Sequence, residues 1–168
     1  MTSASIRLAR PSDLRHLAGV EDAGLVLFEE HFNRTHAALA SPAPSGGERD
    51  QAGTLLVADV GGEVVGFAHL TFADDRAHLE QVSVLPSYGR QGIGAALVRA
   101  VMSEARGSGH RELSLCTFAD VPWNGPFYGT LGFVEVDDLE PFQVRLREHE
   151  RALGLDGIGR RVVMRAPL

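Results

Sequence analysis

Short segments in which apolar and polar residues alternate, or in which β-branched and aromatic residues dominate, recur along the chain between turn-forming residues. Such segments are typical of β-strands, because successive side chains on a strand point to opposite faces of its sheet. Gly61-Gly62 between two of them predicts a hairpin, and Ala73-Asp74-Asp75 predicts the next turn. The pattern predicts strands over residues 6–10, 54–59, 63–72, 77–84, 112–118, 133–136 and 161–165.

Apolar residues at helical spacing predict the remaining elements. Ser12 or Asp13 can cap a first helix, Gly107 ends a later one, and Pro141 suits the first turn of the last. Residues 41–53, rich in Pro, Ser and Gly, predict a mobile surface loop. The predicted helices run from Leu14 through Val20 and beyond, over 25–39, over 95–105 and over 124–131, with a last helix that places Phe142, Leu146, His149 and Leu153 on one face and ends at Gly154.

The order of these elements is β-α-α-β-β-β-α-β-α-β-α-β, which mixes hairpins with helical crossovers. Hairpins produce antiparallel pairs, and crossovers place helices over the faces of a sheet. The sequence therefore predicts an α/β fold with a mixed, mostly antiparallel central sheet flanked by helices on both faces. The length of 168 residues predicts that residues 1–168 form a single domain.

Charge and composition limit the kinds of partner and the compartment that can be expected. The 16 Lys and Arg against 22 Asp and Glu give a net charge of −6, which disfavours nucleic acid as a partner. One cysteine excludes an internal disulfide, the first ten residues do not resemble a signal peptide, and no apolar stretch is long enough to span a membrane. We therefore expect a cytoplasmic protein without a membrane partner.

The turn after the fourth predicted strand carries Gly89, Gly92 and Gly94, and a helix follows at once. The first amides of a helix have no internal partner, and glycines let a phosphate approach them closely. Arg90 and Gln91 add side-chain donors at the rim. The turn is neither a Walker A loop nor a dinucleotide fingerprint. A pyrophosphate is the expected ligand, and a tight turn without a ligand and an ATP site are the alternatives.

The segment Gly89-Arg-Gln-Gly-Ile-Gly94 resembles the acetyl-CoA loop of the GNAT family of N-acetyltransferases, Arg/Gln-x-x-Gly-x-Gly/Ala. A downstream Phe-Tyr-x-x-x-Gly-Phe, which ends at Phe133, and the order of the elements extend the resemblance along nearly the whole chain. In place of the usual first Arg or Gln, this chain has Gly89.

The resemblance implies one acetyltransferase domain over residues 1–168, with acetyl-CoA as co-substrate and no metal. It implies that backbone amides of the loop hold the CoA pyrophosphate and that the backbone of the preceding strand pairs with the pantetheine. The expected CoA-binding residues are Val82, Ser83, Val84, Gly89, Arg90, Gln91, Gly92, Ile93, Gly94, Ala95 and Asn124.

Strand 77–84 changes phase. Val82 and Val84, two residues apart, lie on one face of a regular strand, whereas Leu79 would lie on the other. An extra residue near Glu80 or Gln81, forming a β-bulge, would bring all three to one face. The resembled family has a bulge in its fourth strand, and helices covering both faces of the sheet are the alternative explanation.

An attacking amine must lose a proton, and a departing thiolate must gain one. Glu80 is the candidate base, because burial in an apolar strand would raise its pKa. An ion-paired surface role is its alternative, and His69 and His78 are rival bases. Tyr128 is the candidate acid, because the resembled family directs a tyrosine hydroxyl at the CoA sulfur; a core aromatic is its alternative.

The single cysteine, Cys116, lies in an apolar strand without an adjacent histidine. A structural thiol is therefore expected there, and direct transfer in a ternary complex is expected instead of an acyl-enzyme. The seven histidines show no ligand spacing with cysteine, so no metal is expected.

The acceptor is expected to be a small-molecule or peptide amine. Its site is expected along residues 25–36, where Glu29, Glu30 and His31 could attract a cation, and beside Trp123. A solvated helix face is the alternative for these charges. The sequence leaves open a homodimer, and it leaves open a non-catalytic CoA-binding sensor or subunit with the same fold.

Overall fold

A computed structural model of the chain, described here over residues 3–168, contains one seven-stranded sheet in the order β1-β2-β3-β4-β5-β7-β6. All neighbouring strands are antiparallel except β4 and β5, which are parallel. The mixed, mostly antiparallel sheet predicted from the sequence is confirmed. Its strands are β1 (Ser5–Leu8), β2 (Gly53–Val60), β3 (Glu63–Ala73), β4 (Arg76–Val84), β5 (Glu112–Phe118), β6 (Val134–Val136) and β7 (Arg161–Pro167).

Five α-helices connect these strands and cover both faces of the sheet. They are α1 (Leu14–Phe32), α2 (Gly46–Ala52), α3 (Ile93–Gly107), α4 (Gly125–Gly129) and α5 (Pro141–Ala152). Helix α3 packs on one face, where its apolar stripe, including Leu97, Val98 and Val101, is fully buried. Burial of each such side chain contributes about 1.5–3 kcal/mol to folding.

Helix α1 covers the opposite face over β2 and β3. Its Leu17 and Val20 form a second apolar cluster with Leu55, Val57 and Phe67. Towards β5 and β7 this face becomes polar, and the buried polar and charged residues among its strands are His69, His78, Ser114 and Arg165. This buried polar zone is the part of the fold where chemistry can be placed.

Strand β4 contains the predicted bulge. Leu79 pairs with Leu70 and Gln81 pairs with His69, so Glu80 is the extra residue with no partner on β3. The insertion brings Leu79, Val82 and Val84 against the same core cluster under α3. The change of phase in the sequence is therefore the signature of a bulge at Glu80.

The parallel pairing of β4 with β5 covers two residue pairs, Ala77 with Leu113 and His78 with Ser114. Beyond His78, β4 continues to Val84 along β3, whereas β5 continues along β7. The sheet therefore opens between the two central strands, and Glu80 stands at the start of the opening.

The segment between the first helix and β2 differs from the prediction. Helix α1 continues to Phe32, so the separate helix expected over 25–39 is wrong; instead, Asn33 in the left-handed conformation (φ 54°) ends α1. The mobile loop expected over 41–53 is also wrong in its second half, which is α2. Ser45 accepts from the amide of Glu48, and the Glu48 carboxylate accepts from the amide of Ser45. This capping box was present in the sequence, and Gly46 allows its helix to lie directly on the backbone of Leu14.

The predicted buried face of the last helix is right at Phe142, which is buried, and wrong towards its end. His149 and Leu153 are exposed, whereas Gln143, Arg147 and Glu150 are buried. The prediction failed because charged residues on a helix are usually solvated, and here they form ion pairs with β7 and the residues after α5.

Candidate active site

The first amides of α3 form an open cradle. The first helical hydrogen bond runs from the Ala96 amide to the Gly92 carbonyl (3.0 Å), so the amides of Ile93, Gly94 and Ala95 precede the intrahelical ladder. Gly92 has φ 80°, and a side chain at that position would meet no atom within 4 Å. The macrodipole of this 15-residue helix adds positive potential at the same point.

The turn that leads into this cradle is exposed at Gly89, Arg90 and Gln91. Arg90 adopts the left-handed conformation (φ 61°), which directs the chain sharply into Gly92. Free amides, exposed donors and the missing side chain at Gly92 together fit a diphosphate group.

The opening in the sheet continues from this cradle along β4. Val82, Ser83 and Val84 are half-buried there, and the Ser83 hydroxyl accepts from the Gln81 side chain (2.9 Å). On the side facing β5, this stretch lies beyond the two pairs that join the strands. An extended ligand could therefore pair with its backbone as an added strand would.

Glu80 lies at the inner end of the opening. Its side chain is 46% exposed, and its carboxylate is 3.9 Å from Nε2 of His78. The walls of the opening desolvate the carboxylate and thereby raise its pKa, against the smaller effect of the Arg49 charge. Glu150 raises this pKa further, and Arg161 lowers it. A carboxylate with a raised pKa is a stronger base than an ordinary surface glutamate.

The two rival histidines are both buried. Burial is the main cause that lowers the pKa of His69 to about 4 and that of His78 to about 4. Nδ1 of His78 is 2.8 Å from the hydroxyl of Ser114, and Nδ1 of His69 is 3.5 Å from the guanidinium of Arg49. Both imidazoles are therefore neutral near pH 7 and engaged with protein partners.

Arg49 was not singled out from the sequence. Helix α2 buries it under α1, where it forms an ion pair with Glu21 and lies 5.2 Å from the ring centroid of Phe67. Burial raises the pKa of Glu21, and the charge of Arg49 opposes that effect. The capping box at Ser45 was the signal that could have placed Arg49 on a helix.

Tyr128 lies on α4, half-buried against the core on the α3 side. Desolvation raises the pKa of its hydroxyl to about 12, and the nearby Arg161 charge lowers it slightly. A Cβ atom at Gly94 would be 3.5 Å from the ring of Phe127, so α4 stands beside the start of α3. Asn124 precedes α4, and its carbonyl accepts from the Tyr128 amide (2.9 Å).

Cys116 lies one strand away from Glu80, on β5. Burial raises the pKa of its thiol to about 12, and the Glu150 carboxylate adds to this effect. At neutral pH the group is a thiol, which is a poor nucleophile.

A network of charges closes the opening on the β7 side. Glu150 forms ion pairs with Arg147 and Arg161, and Arg147 also pairs with Asp156 (2.8 Å). The Arg161 guanidinium lies 4.6 Å from the centroid of the Phe118 ring. Sequence analysis missed this network; the i, i+3 spacing of Arg147 and Glu150 was its one signal.

Aromatic rings border the same end of β5. Phe28 packs against Phe118 (centroids 5.9 Å apart) and Trp123 (5.4 Å), and Trp123 also contacts His31 (5.4 Å). The structure therefore brings two members of the predicted acceptor wall together, His31 and Trp123. Glu29 is half-buried and Glu30 is exposed on the same helix.

Within residues 3–168, no three His, Cys, Asp or Glu residues are grouped so that they could hold a metal ion. Over the same residues, no helix combines the length and the apolar character that a membrane span requires.

Comparisons with known proteins identify the fold and the family. The chain is 28% identical over 144 residues to aminoglycoside N(6')-acetyltransferase type 1 of Klebsiella aerogenes, covering 81% of this chain and 95% of the relative. Solved structures of other acetyltransferases share the fold. The PaiA N-acetyltransferase of Thermoplasma acidophilum in complex with coenzyme A has a TM-score of 0.73 and 18% identity, covering 99% of both chains.

Another is a GNAT family acetyltransferase of Elizabethkingia anophelis with acetyl-CoA bound, which has a TM-score of 0.61 and 18% identity and covers 99% of both chains. The model of the acetyltransferase (GNAT) family matches residues 20–133, more than half of the sequence. The resemblance, the fold and the enzyme class expected from the sequence are confirmed: the chain belongs to the acetyltransferase (GNAT) family.

Proposed function

We propose that this protein transfers an acetyl group from acetyl-CoA to a primary amine by direct attack in a ternary complex. The observation that carries the proposal is the continuity of three features: the cradle at Gly92, the open edge of β4 and the desolvated carboxylate of Glu80. A diphosphate bound in the cradle would place the extended thioester arm of its donor along the open edge of β4. The reactive end of that arm would then lie beside Glu80. Residues 1–168 act as one acetyltransferase domain in this proposal.

The donor is held mainly by backbone groups. The amides from Arg90 to Ala95 bind the diphosphate, whereas the Gly89 amide donates to the Pro86 carbonyl (3.1 Å) and closes the turn. The backbone from Val82 to Val84 pairs with the pantetheine arm. Arg90 and Gln91 add side-chain donors at the rim of the cradle, and the side chain of Asn124 contacts the donor near its thioester. When bound, acetyl-CoA supplies an activated acyl group whose carbon–sulfur bond is exchanged for a carbon–nitrogen bond.

Glu80 acts as the base in this proposal. It accepts a proton from the ammonium form of the acceptor, directly or through one water molecule, so that the nitrogen gains its lone pair. The raised pKa of Glu80 supports the assignment, because it makes this carboxylate a stronger base than an ordinary glutamate. The rival histidines, with pKa values of about 4, are weaker bases and face protein partners.

Tyr128 acts as the acid that donates its proton to the departing sulfur. Because its pKa is about 12, the hydroxyl keeps its proton at neutral pH and donates it as negative charge develops on the departing sulfur. Tyr128 then regains a proton from the acceptor nitrogen as the amide forms. Cys116 takes no acetyl group in this scheme. Its thiol has a pKa of about 12, which supports direct transfer over an acyl-enzyme route.

The acceptor is a small-molecule or peptide amine. The similarity to an aminoglycoside acetyltransferase supports a small amine, and the fold shared with an N-acetylglutamate synthase of Neisseria gonorrhoeae (TM-score 0.68, 20% identity) keeps amino acids among the candidates. The net charge of −6 favours a cationic acceptor over nucleic acid. We propose a cytoplasmic location without a membrane partner, and we leave a homodimer as a second form to be measured.

The test is a panel of amines, comprising aminoglycosides, amino acids, polyamines and peptide N-termini, assayed for thiol release from acetyl-CoA. Calorimetry with CoA runs beside it. Binding of CoA together with amine-dependent thiol release supports the enzyme. Binding without turnover on any amine supports the alternative of a non-catalytic CoA-binding sensor or subunit, and heat with ATP but not with CoA contradicts both.

A further inference from the structure

His78 stands between Glu80 and a second polar group on the neighbouring strand. Its Nε2 is 3.9 Å from a carboxylate oxygen of Glu80, and its Nδ1 is 2.8 Å from the hydroxyl of Ser114. Both His78 and Ser114 are 3% exposed. They are also one of the two residue pairs that join β4 to β5, so the connection lies at the closed end of the opening in the sheet.

Ser114 leads to a cavity on the other side of this junction. The cavity has a volume of about 380 Å³, and its lining includes Ser114, Phe142 and Gln143. Charged side chains also line it, namely Asp75, Arg76, Arg111, Glu112 and Glu140. A cavity of this size and polarity holds several water molecules. Glu80, His78 and Ser114 therefore form a row from the inner end of the opening to this water-accessible cavity.

The proposed reaction needs a route for one proton. An amine that arrives as an ammonium ion and leaves as an amide gives up two protons, and the thiolate of CoA takes up one of them. One proton per turnover must therefore reach solvent. When the donor and the acceptor fill the opening, they cover the exposed side of Glu80, and the row through His78 leads away from both.

We propose that His78 and Ser114 relay the proton taken by Glu80 into this cavity; the proposal rests on the proposed function. The Glu80 carboxylic acid gives its proton to Nε2 of His78, while Nδ1 gives its own proton to the Ser114 oxygen. The Ser114 hydroxyl, which donates to the Ala77 carbonyl (3.5 Å) in the resting structure, turns to pass its proton to water in the cavity. One N–H or O–H bond forms for each that breaks, and no charge remains on the imidazole.

The surroundings of His78 suit this role. Its pKa of about 4 keeps the ring neutral, so one nitrogen can accept while the other donates. Besides Glu80 and Ser114, it is faced by the ring of Phe142 (centroids 5.7 Å apart) and, at longer range, by the Glu150 carboxylate on α5. Glu80 must move by about 1 Å to reach hydrogen-bonding distance of Nε2, and its partly exposed side chain leaves room for that movement.

The first test removes the last hydroxyl of the row. We expect Ser114→Ala to lower kcat about a hundredfold, the low end of the range for proton-transfer groups, with the KM for acetyl-CoA unchanged. Ser114→Thr, which keeps a hydroxyl beside the cavity, should restore most of the rate. Thr117→Val is the matched control: it removes another buried hydroxyl of β5, three residues away on the other face of the strand, and should keep the wild-type rate.

The second readout separates a relay from a packing effect. A concerted relay moves several protons in one step, so the wild type should show a solvent deuterium isotope effect with a curved proton inventory. In Ser114→Ala the inventory should become linear. Wild-type kcat and an unchanged inventory in Ser114→Ala would overturn the relay, as would equal losses in Ser114→Ala and Thr117→Val.

His78→Asn provides an independent variant, with the same losses expected. Thermal melting checks that each variant is folded. Glu80→Gln distinguishes the two levels of the proposal. Full activity in Glu80→Gln contradicts the proposed base and the relay together. Loss of activity in Glu80→Gln with normal Ser114→Ala and His78→Asn contradicts the relay alone.

Discussion

At the scale of single residues, the candidate site depends on one inserted position. The extra residue in β4 is Glu80, and the strand resumes its phase beyond it with Val82 and Val84 in the core. A bulge re-aims the side chain that it inserts and leaves its backbone without a ladder partner. The carboxylate is thereby directed among the charges of α2, α5 and β7, which act on its pKa in opposite directions.

The pH dependence of activity should report the protonation of Glu80. Because the base must be ionised, kcat/KM should fall as pH falls through the pKa of Glu80, and desolvation places that limb above the range of an ordinary glutamate. Arg49 lowers this pKa, so Arg49→Met should move the limb to higher pH, whereas Arg49→Lys should leave it near the wild-type position.

The measurement is a pH–rate profile for thiol release, with an acceptor amine whose own pKa lies outside the pH range that is scanned. Glu80→Gln should lose the limb and about 10²–10³ in kcat. A limb that persists unchanged in Glu80→Gln would assign the base elsewhere.

Tyr128→Phe tests the proposed acid. Removal of the hydroxyl should lower kcat by about 10–10², while the affinity for CoA stays within twofold, because the ring still packs against Phe133 (centroids 5.8 Å apart). Calorimetry with CoA and steady-state assays measure the two quantities. Unchanged turnover would make Tyr128 a packing residue.

The chemistry of single residues was the part least accessible from the sequence. The bulge at Glu80 could be predicted, because the apolar pattern of one strand contains it. The ion pairs of Arg49 with Glu21 and of Glu150 with Arg161 could not, because each joins elements far apart in the chain and charged residues are usually solvated.

At the scale of elements, the turn before α3 has one position that demands glycine. Gly92 has φ 80°, where a side chain is strained, and that side chain would enter the space of the diphosphate. Gly92→Val should therefore weaken CoA binding at least about tenfold, an estimate from the loss of one or two charge-assisted hydrogen bonds. Gly107→Ala, at the other end of α3 with no atom within 4 Å, is the control and should bind CoA normally.

Helix α5 is held by charges instead of a continuous apolar stripe. The side chains of Arg147 and Glu150 are 7% and 8% exposed. Removal of one partner leaves a buried charge uncompensated, so Glu150→Ala should lower the free energy of unfolding by about 3–5 kcal/mol. Glu148→Ala, on the exposed side of α5, should change it by less than about 0.5 kcal/mol. Urea denaturation of both variants measures the difference, and equal stabilities would contradict a structural role for the network.

The elements themselves were largely predictable, and two of the three errors arise from contacts between elements. Helix α2 was missed because glycine and proline around Ser45 outweighed its capping box, and because the tight contact at Gly46 forms only with α1 in place. The buried face of α5 was misjudged because its partners lie on β7 and beyond the helix. Strands β2 to β5 were predicted well, since their apolar patterns are local.

At the scale of the whole molecule, the sheet combines two regions with different neighbours. In the region of β1 to β4, helix α1 covers β2 and β3; in the region of β5 to β7, α5 forms an ion pair with β7; and α3 packs across both regions in one apolar cluster. The family match and the shared fold of solved structures show that this arrangement is common to the family. The order of elements could be predicted from the sequence. The place where β4 and β5 separate could not, because it depends on the register between these two strands.

That separation has a mechanical consequence. Two residue pairs join β4 to β5, so few backbone hydrogen bonds hold the two regions of the sheet together. The remaining length of this seam, from Glu80 to Val84, is open to a ligand that lies along β4. A donor seated there would serve as a brace across the seam as well as a reactant. A donor concentration 100 times the dissociation constant raises the free energy of unfolding by about 2.7 kcal/mol. The loaded molecule should be the stiffer one, and release of spent CoA should loosen the seam before each new turnover.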